Sequence, residues 1–116
     1  MNHGVRKGRK FGRTKEQREA MFASMAASLI AHGAIVTTED KAKDLSQIIE
    51  PMITRARKGT VASRRLLAKT LPTAAVKKLV DEVAPKYTER PGGYTRIIQM
   101  RRRNTDGARM ARVELV

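Results

Sequence analysis

Apolar residues keep a helical spacing through most of the chain up to Pro85, whereas Tyr94 to Arg101 and Arg109 to Val116 alternate, and this change of period restricts the fold more than any other feature. Thr14-Lys15-Glu16-Gln17 is a capping-box pattern, so a first helix is expected to run from there to about His32, with Gly33 as its C′ residue. Met21, Phe22, Met25, Ala26 and Leu29 share one face of it. The other side is small rather than charged: Ala23, Ser24, Ala27 and Ala31. A helix uncharged around its middle is usually covered on all sides, more often by protein than by RNA. Ala34 to Thr37 reads as a short β-branched strand, and Thr38 with Glu39 and Asp40 as a second N-cap. Ala42, Leu45, Ile48, Ile49, Met52, Ile53 and Ala56 then fall on one arc of a second helix. Lys43, Gln47, Glu50, Thr54 and Arg57 lie opposite, with Pro51 on the polar side as a kink and Gly59 as the stop. Thr60 to Leu71 forms a third helix in which Leu66, Leu67 and Leu71 group together. Val76, Leu79, Val80 and Val83 mark a fourth, ended by Pro85. Tyr94 to Arg101 and Arg109 to Val116 make a hairpin around the turn Asn104-Thr105-Asp106-Gly107. Leu29, Leu45, Ile49, Ile53, Val80 and Ile98 are expected in one core.

Charge bounds the function. The 116 residues carry a formal net charge of +14, which points to a polyanionic partner, above all nucleic acid. Aromatics make up only 3%, too few for several base-stacking platforms on a single strand. With no cysteine there is no disulfide, thiol nucleophile or thiolate zinc site. The uncharged run Ala20 to Thr38 is too rich in Ala, Ser and Thr, and too broken by His32 and Gly33, for a membrane span.

No constellation suits catalysis. His3 and His32 are the only histidines, one near the start and one at a helix end where the dipole favours its protonated form. Glu39-Asp40 and Asp81-Glu82 are sequence neighbours and do not face each other on a helix. No phosphate-loop motif occurs, so no cofactor, metal or small-molecule substrate is expected.

What remains is positive charge in four places. Arg6, Lys7, Arg9, Lys10, Arg13 and Lys15 crowd the first fifteen residues, which contain no acid and almost nothing to bury. Such a segment cannot offset its own ordering entropy, so residues 1–15 are expected to be a basic arm ordered by RNA and 16–116 the globular domain. Arg64, Arg65 and Lys69 form a second patch, and Arg101, Arg102 and Arg103 beside the hairpin turn a fourth. The third is Arg90-Pro-Gly-Gly-Tyr-Thr-Arg96: Gly92 and Gly93 let backbone approach a phosphate, Tyr94 can stack or donate, and Arg90 and Arg96 flank them. Gly93 is expected to resist substitution, through either positive φ or close phosphate approach. His3 and Arg18 complete the expected RNA-binding set.

Glu19-Ala-Met-Phe, Met25-Ala-Ala-Ser-Leu-Ile, Ile35-Val-Thr-Thr, Lys41-Ala-Lys-Asp-Leu and Glu50-Pro-Met-Ile-Thr together resemble the bacterial large-subunit ribosomal protein L17 family. Arg64-Arg65, Val76-Lys-Lys-Leu, Gly92-Gly-Tyr-Thr-Arg-Ile and Met110-Ala-Arg-Val-Glu-Leu extend the resemblance over nearly the whole chain. It implies an α/β (α+β) domain with helices on a small mixed sheet. It also implies binding to 23S rRNA in the ribosome of the cytoplasm, beside other large-subunit proteins near the tunnel exit. The expected fold is therefore about four helices packed on a small mixed three-stranded sheet with a C-terminal hairpin, plus the arm. The expected function is structural: to bind 23S rRNA and stabilise its folding and assembly. A basic DNA-binding or nucleoid-associated protein is the alternative, although Gly33 leads into a strand and no basic recognition helix follows a tight turn.

Overall fold

A computed structural model describes residues 14–116. The first helix, α1 (Lys15–His32), starts at a complete capping box: Thr14 Oγ1 accepts from the Gln17 amide, and the Gln17 side chain accepts from the Thr14 amide. Gly33 ends it in the left-handed region at φ 80°, its N–H donating to the Leu29 carbonyl at 2.7 Å. Strand β1 (Ala34–Thr38) follows directly, then α2 (Glu39–Ala56), which continues through Pro51. Pro51 is exposed, so the missing amide falls on the solvent side of the helix. Helix α3 (Val61–Ala68) is capped by Thr60, whose hydroxyl accepts from the Ser63 amide. Helix α4 (Thr73–Lys78) does not run on regularly to Pro85. It widens into a π segment over Leu79–Val83, where the Ala84 amide reaches back to the Leu79 carbonyl, and tightens into a 3-10 turn over Ala84–Tyr87. Pro85 has no amide to continue an α-helical ladder, so the chain changes pitch around it.

Strands β2 (Thr95–Gln99) and β3 (Met110–Leu115) form the C-terminal hairpin, and β3 pairs with β1 on its other side. The expectation of a mixed sheet is corrected: both ladders are antiparallel, in the order β1-β3-β2. The hairpin connection makes β2 and β3 antiparallel, and β1 runs the same way as β2, so its ladder with β3 is antiparallel as well.

The sheet's inner face carries Ile35, Val113 and Ile97 in one row, backed by Ala111 and Leu115, and the helices cover it. Leu29, Leu45, Ile49, Ile53, Leu79, Val80 and Val113 are buried in one cluster with Tyr94. Two expectations about this core fail. Ile98 is 40% exposed, because its neighbour Ile97 takes the inward position opposite Val113 and strand side chains alternate. Leu66 is 43% exposed while Leu67 and Leu71 are buried, since adjacent residues on a helix diverge by about 100°. The small side of α1 is also incompletely covered: Ser24 and Ala31 are exposed, and Ala23 and Ala27 are half-buried.

Candidate nucleic-acid interface

His3, Arg6, Lys7, Arg9, Lys10 and Arg13 lie outside the described residues. Of the remaining arm and helix-start cations, Lys15 is exposed at the first turn of α1 and Arg18 is half-buried one turn on. On α3, Arg64 pairs with Asp81 at 2.7 Å, a carboxylate from the π segment that follows α4. Arg65 and Lys69 are exposed. This patch therefore presents two open cations and one that is half-neutralised.

The Gly92-Gly93 loop is built differently from the expectation. Gly93 adopts φ +64°, the left-handed conformation in which a Cβ is strained, and no other group lies within 4 Å of where that Cβ would sit. Within the chain, then, conformation rather than crowding requires glycine. The loop amides do not face outward to an anion. A carboxylate from α2 takes them: Glu50 Oε1 accepts from the Gly93 amide at 3.1 Å, and Glu50 Oε2 accepts from the Thr95 amide at 3.1 Å and hydroxyl at 2.9 Å. Ser46 reaches the same Thr95 hydroxyl at 2.7 Å. Arg90 folds over the loop and donates to the Gly93 carbonyl at 3.1 Å.

Tyr94 is wholly buried, and stacking on a base is closed to it. Its ring packs edge-on against Tyr87, with centroids 5.1 Å apart. Its hydroxyl shares a hydrogen bond with Thr54 at 3.3 Å and accepts one from Arg57 at 2.8 Å. Those two bonds, Thr54 first, hold the hydroxyl below the usual phenol range against the opposing effect of burial. Arg57 also donates to the Thr88 carbonyl at 2.8 Å, and so ties the end of α2 to the segment before the loop. Tyr87, pushed up by its burial, donates to the Val116 carbonyl. The aromatic expected on the RNA surface is thus an internal strut, and the loop offers Arg90 and Arg96 as its outward cations. Arg96 is itself engaged: it and Arg112 flank Glu114 on the open face of the sheet at 2.9 and 3.4 Å. The Arg96 bond is the main reason that Glu114 is held below the ordinary carboxylate range.

The hairpin tip is exposed from Arg101 to Gly107. Arg103 grips Asp106 through two bonds of 3.0 Å, and Asp106 also accepts from the Ala108 amide at 3.1 Å. The Arg103 bond, ahead of the amide, holds Asp106 below its usual range. Arg102 donates to the Gly107 carbonyl, leaving Arg101 without an ion pair among the described residues. The tip and the Gly92-Gly93 loop lie at opposite ends of β2, about 17 Å of strand apart.

Basic side chains are therefore exposed on α3, at the loop and at the hairpin tip, with the loop and the tip at opposite ends of β2. Glu50, Thr54 and Arg57, which build the loop, were not singled out by sequence. They lie some 40 residues upstream, on a helix face whose spacing reads as solvated. Among the described residues no group of His, Asp or Glu could hold a metal ion, and no helix is long and apolar enough to cross a membrane.

Comparison with known proteins is direct. The model of the Ribosomal protein L17 family matches residues 21–116. The large ribosomal subunit protein bL17 of Gemmatimonas aurantiaca is 50% identical over 109 residues, covering 93% of this chain and 92% of that protein. The match takes in α1 from Met21 and every later helix and strand, including the Gly-Gly-Tyr loop, its α2 supports and the hairpin, so the chain belongs to the ribosomal protein L17 family and is a ribosomal protein rather than an enzyme.

Proposed function

We propose that this protein is a structural constituent of the large ribosomal subunit that binds 23S rRNA and stabilises its folding and assembly, beside neighbouring large-subunit proteins near the tunnel exit. It acts in the cytoplasm, within the ribosome. The observation that carries the RNA part is that exposed cations come from several different elements of one small body. Arg65 and Lys69 on α3, Arg90 at the loop and Arg101 at the tip are exposed on a chain of net charge +14. A protein docked on one duplex needs one basic face; one set among several RNA helices needs several. Residues 16–116 act as the folded body and 1–15 as a basic arm that RNA orders. DNA or nucleoid binding fits less well, because Gly33 turns α1 into a strand rather than into a recognition helix.

Each neutralised phosphate contributes roughly 0.7–0.9 to the slope of log K against log salt. Removing residues 1–15, with six Lys and Arg, should flatten that slope for 23S rRNA by about 4–5 units if all engage, and about 2 if half do. An unchanged slope would remove the arm from the interface. Sedimentation of a cell extract tests the larger claim: the protein should stay with large subunits through a moderate salt wash, and recovery with the nucleoid would favour the alternative.

A further inference from the structure

The outer edge of β1 is an open place in the sheet. Gly33 accepts from the Leu115 amide and Glu39 donates to the Arg109 carbonyl, and the continuous register between them pairs Ile35 with Val113 and Thr37 with Ala111. In an antiparallel ladder, alternate residues bond to the neighbour and those between point away. The amides of Ala34, Val36 and Thr38 and the carbonyls of Ala34 and Val36 therefore face outward, where no strand lies beside them among the described residues, while the Thr38 carbonyl, as N-cap, opens the α2 ladder. Edge strands are usually guarded by Lys, Pro or a bulge. Ala34-Ile35-Val36-Thr37-Thr38 has none of these, and Val36 is 50% exposed. Beside this edge runs a groove of about 380 Å³, walled by Met21, Ser24, Met25 and Ser28 of α1 with Lys41 also in its lining. Its α1 wall combines two methionines of the apolar face with Ser24 and Ser28, and among the described residues Lys41 is the only cation lining it.

We propose that this edge and groove take an extended segment of a neighbouring protein, added to the sheet as a fourth strand; the inference rests on the ribosomal reading above. The chemistry selects the occupant. Alternating donors and acceptors at strand spacing are matched by another backbone, whereas a phosphate chain offers acceptors alone. The near absence of cations sets the groove apart from the basic side chains on α3, at the loop and at the tip. A net charge of +14 opposes pairing with a second copy. The segment would carry apolar side chains at alternate positions toward Met21 and Met25, and an acidic one toward Lys41.

The test replaces Lys41 with a diazirine lysine analogue in the full chain, incorporated into large subunits and irradiated. The expected result is a covalent adduct to a peptide of another protein. An adduct to rRNA, to a second copy or to residues 1–13 of the same chain overturns the proposal, as does no adduct at all. Failure of the chain to sediment with large subunits is a separate result, which overturns the ribosomal reading and this inference with it. Thr38→Pro then probes the backbone pairing. Thr38 sits at φ −65°, the value proline imposes, its side chain makes no capping bond, and its amide points outward. The variant should keep its circular dichroism and enter subunits while adduct yield falls about threefold to tenfold, as for one lost hydrogen bond. An unchanged yield overturns strand addition. If Thr38→Pro does not fold, Val36→Pro removes a second outward amide and is judged by the same yield.

Discussion

Two loops of this protein look alike in sequence and are held in unlike ways. Residues 90–96 and 101–107 each combine arginines with a glycine at positive φ, Gly93 at 64° and Gly107 at 72°. The first is fixed from outside itself: Glu50 and Thr54 of α2, with Arg57 just past its end, bind its amides and its buried tyrosine. The second is fixed from within, by Arg103 and Asp106 three residues apart and by Arg102 on the Gly107 carbonyl. A loop with a helix behind it can bury an aromatic ring and spend its donors on that helix. A loop that projects from a hairpin has only its own residues to bind. Arginines of both loops are engaged, Arg90 and Arg96 in the first and Arg102 and Arg103 in the second, and Arg101 at the tip is the one without an ion pair or hydrogen bond among the described residues.

The largest effect should come from loosening the helix behind the first loop. Leu45 is fully buried, so Leu45→Ala should lower the unfolding free energy by about 2–5 kcal/mol in a denaturant titration, by the cavity it leaves. A change below about 0.5 kcal/mol, the size of a surface substitution, would mean that α2 is not the support described. Next comes the carboxylate that joins helix to loop. Glu50→Ala leaves the Gly93 and Thr95 donors without their acceptor and should cost about 1–3 kcal/mol, while Arg103→Ala at the tip should leave the thermal midpoint nearly unchanged. Equal shifts in the two variants would erase the contrast between the loops.

Gly93→Ala and Gly107→Ala should each cost about 1–2 kcal/mol for the same backbone reason, since both sites are left-handed and neither has a neighbour for the new Cβ to strike. If only the Gly93 variant loses stability, the tip can relax its backbone and the first loop cannot.

Acid should act on both regions through their carboxylates. Folded Glu114 and Asp106 are held below their ordinary ranges, so the stability they contribute is present above those ranges and is lost as pH falls through the lowered values. Unfolding midpoints should therefore drop as pH falls below about 4, and Glu114→Gln should flatten that acid limb. An acid limb unaffected by Glu114→Gln would show that the Arg96–Glu114–Arg112 cluster on the sheet contributes nothing. The smallest expected change is in binding: Arg101→Ala should lower the salt slope for rRNA by roughly 0.7–0.9 without moving the thermal midpoint. A midpoint shift would reveal a structural role for a side chain that makes no ion pair among the described residues.

Much was settled by sequence alone, for local reasons. The capping box at Thr14 and Gln17 and the left-handed stop at Gly33 each depend on residues within a few positions of one another, and the hairpin between Tyr94 and Val116 depends on the turn that joins its strands. The stripe from Ala42 to Ala56 marked its buried side by periodicity, and Ala42, Leu45, Ile49, Ile53 and Ala56 are all buried. Net charge pointed to nucleic acid because it is a sum and needs no geometry. Tertiary structure decided what depends on distant partners. Ile97 and Ile98 are equivalent in sequence until Val113 is known to sit opposite Ile97. Tyr94 could face RNA or the core until α2 brings Thr54 and Arg57 to its hydroxyl. The amides of Gly93 and Thr95 could await a phosphate until Glu50, more than 40 residues earlier, supplies the oxygens in its place, because a hydrogen bond is chosen by proximity in space and chain order carries no record of it.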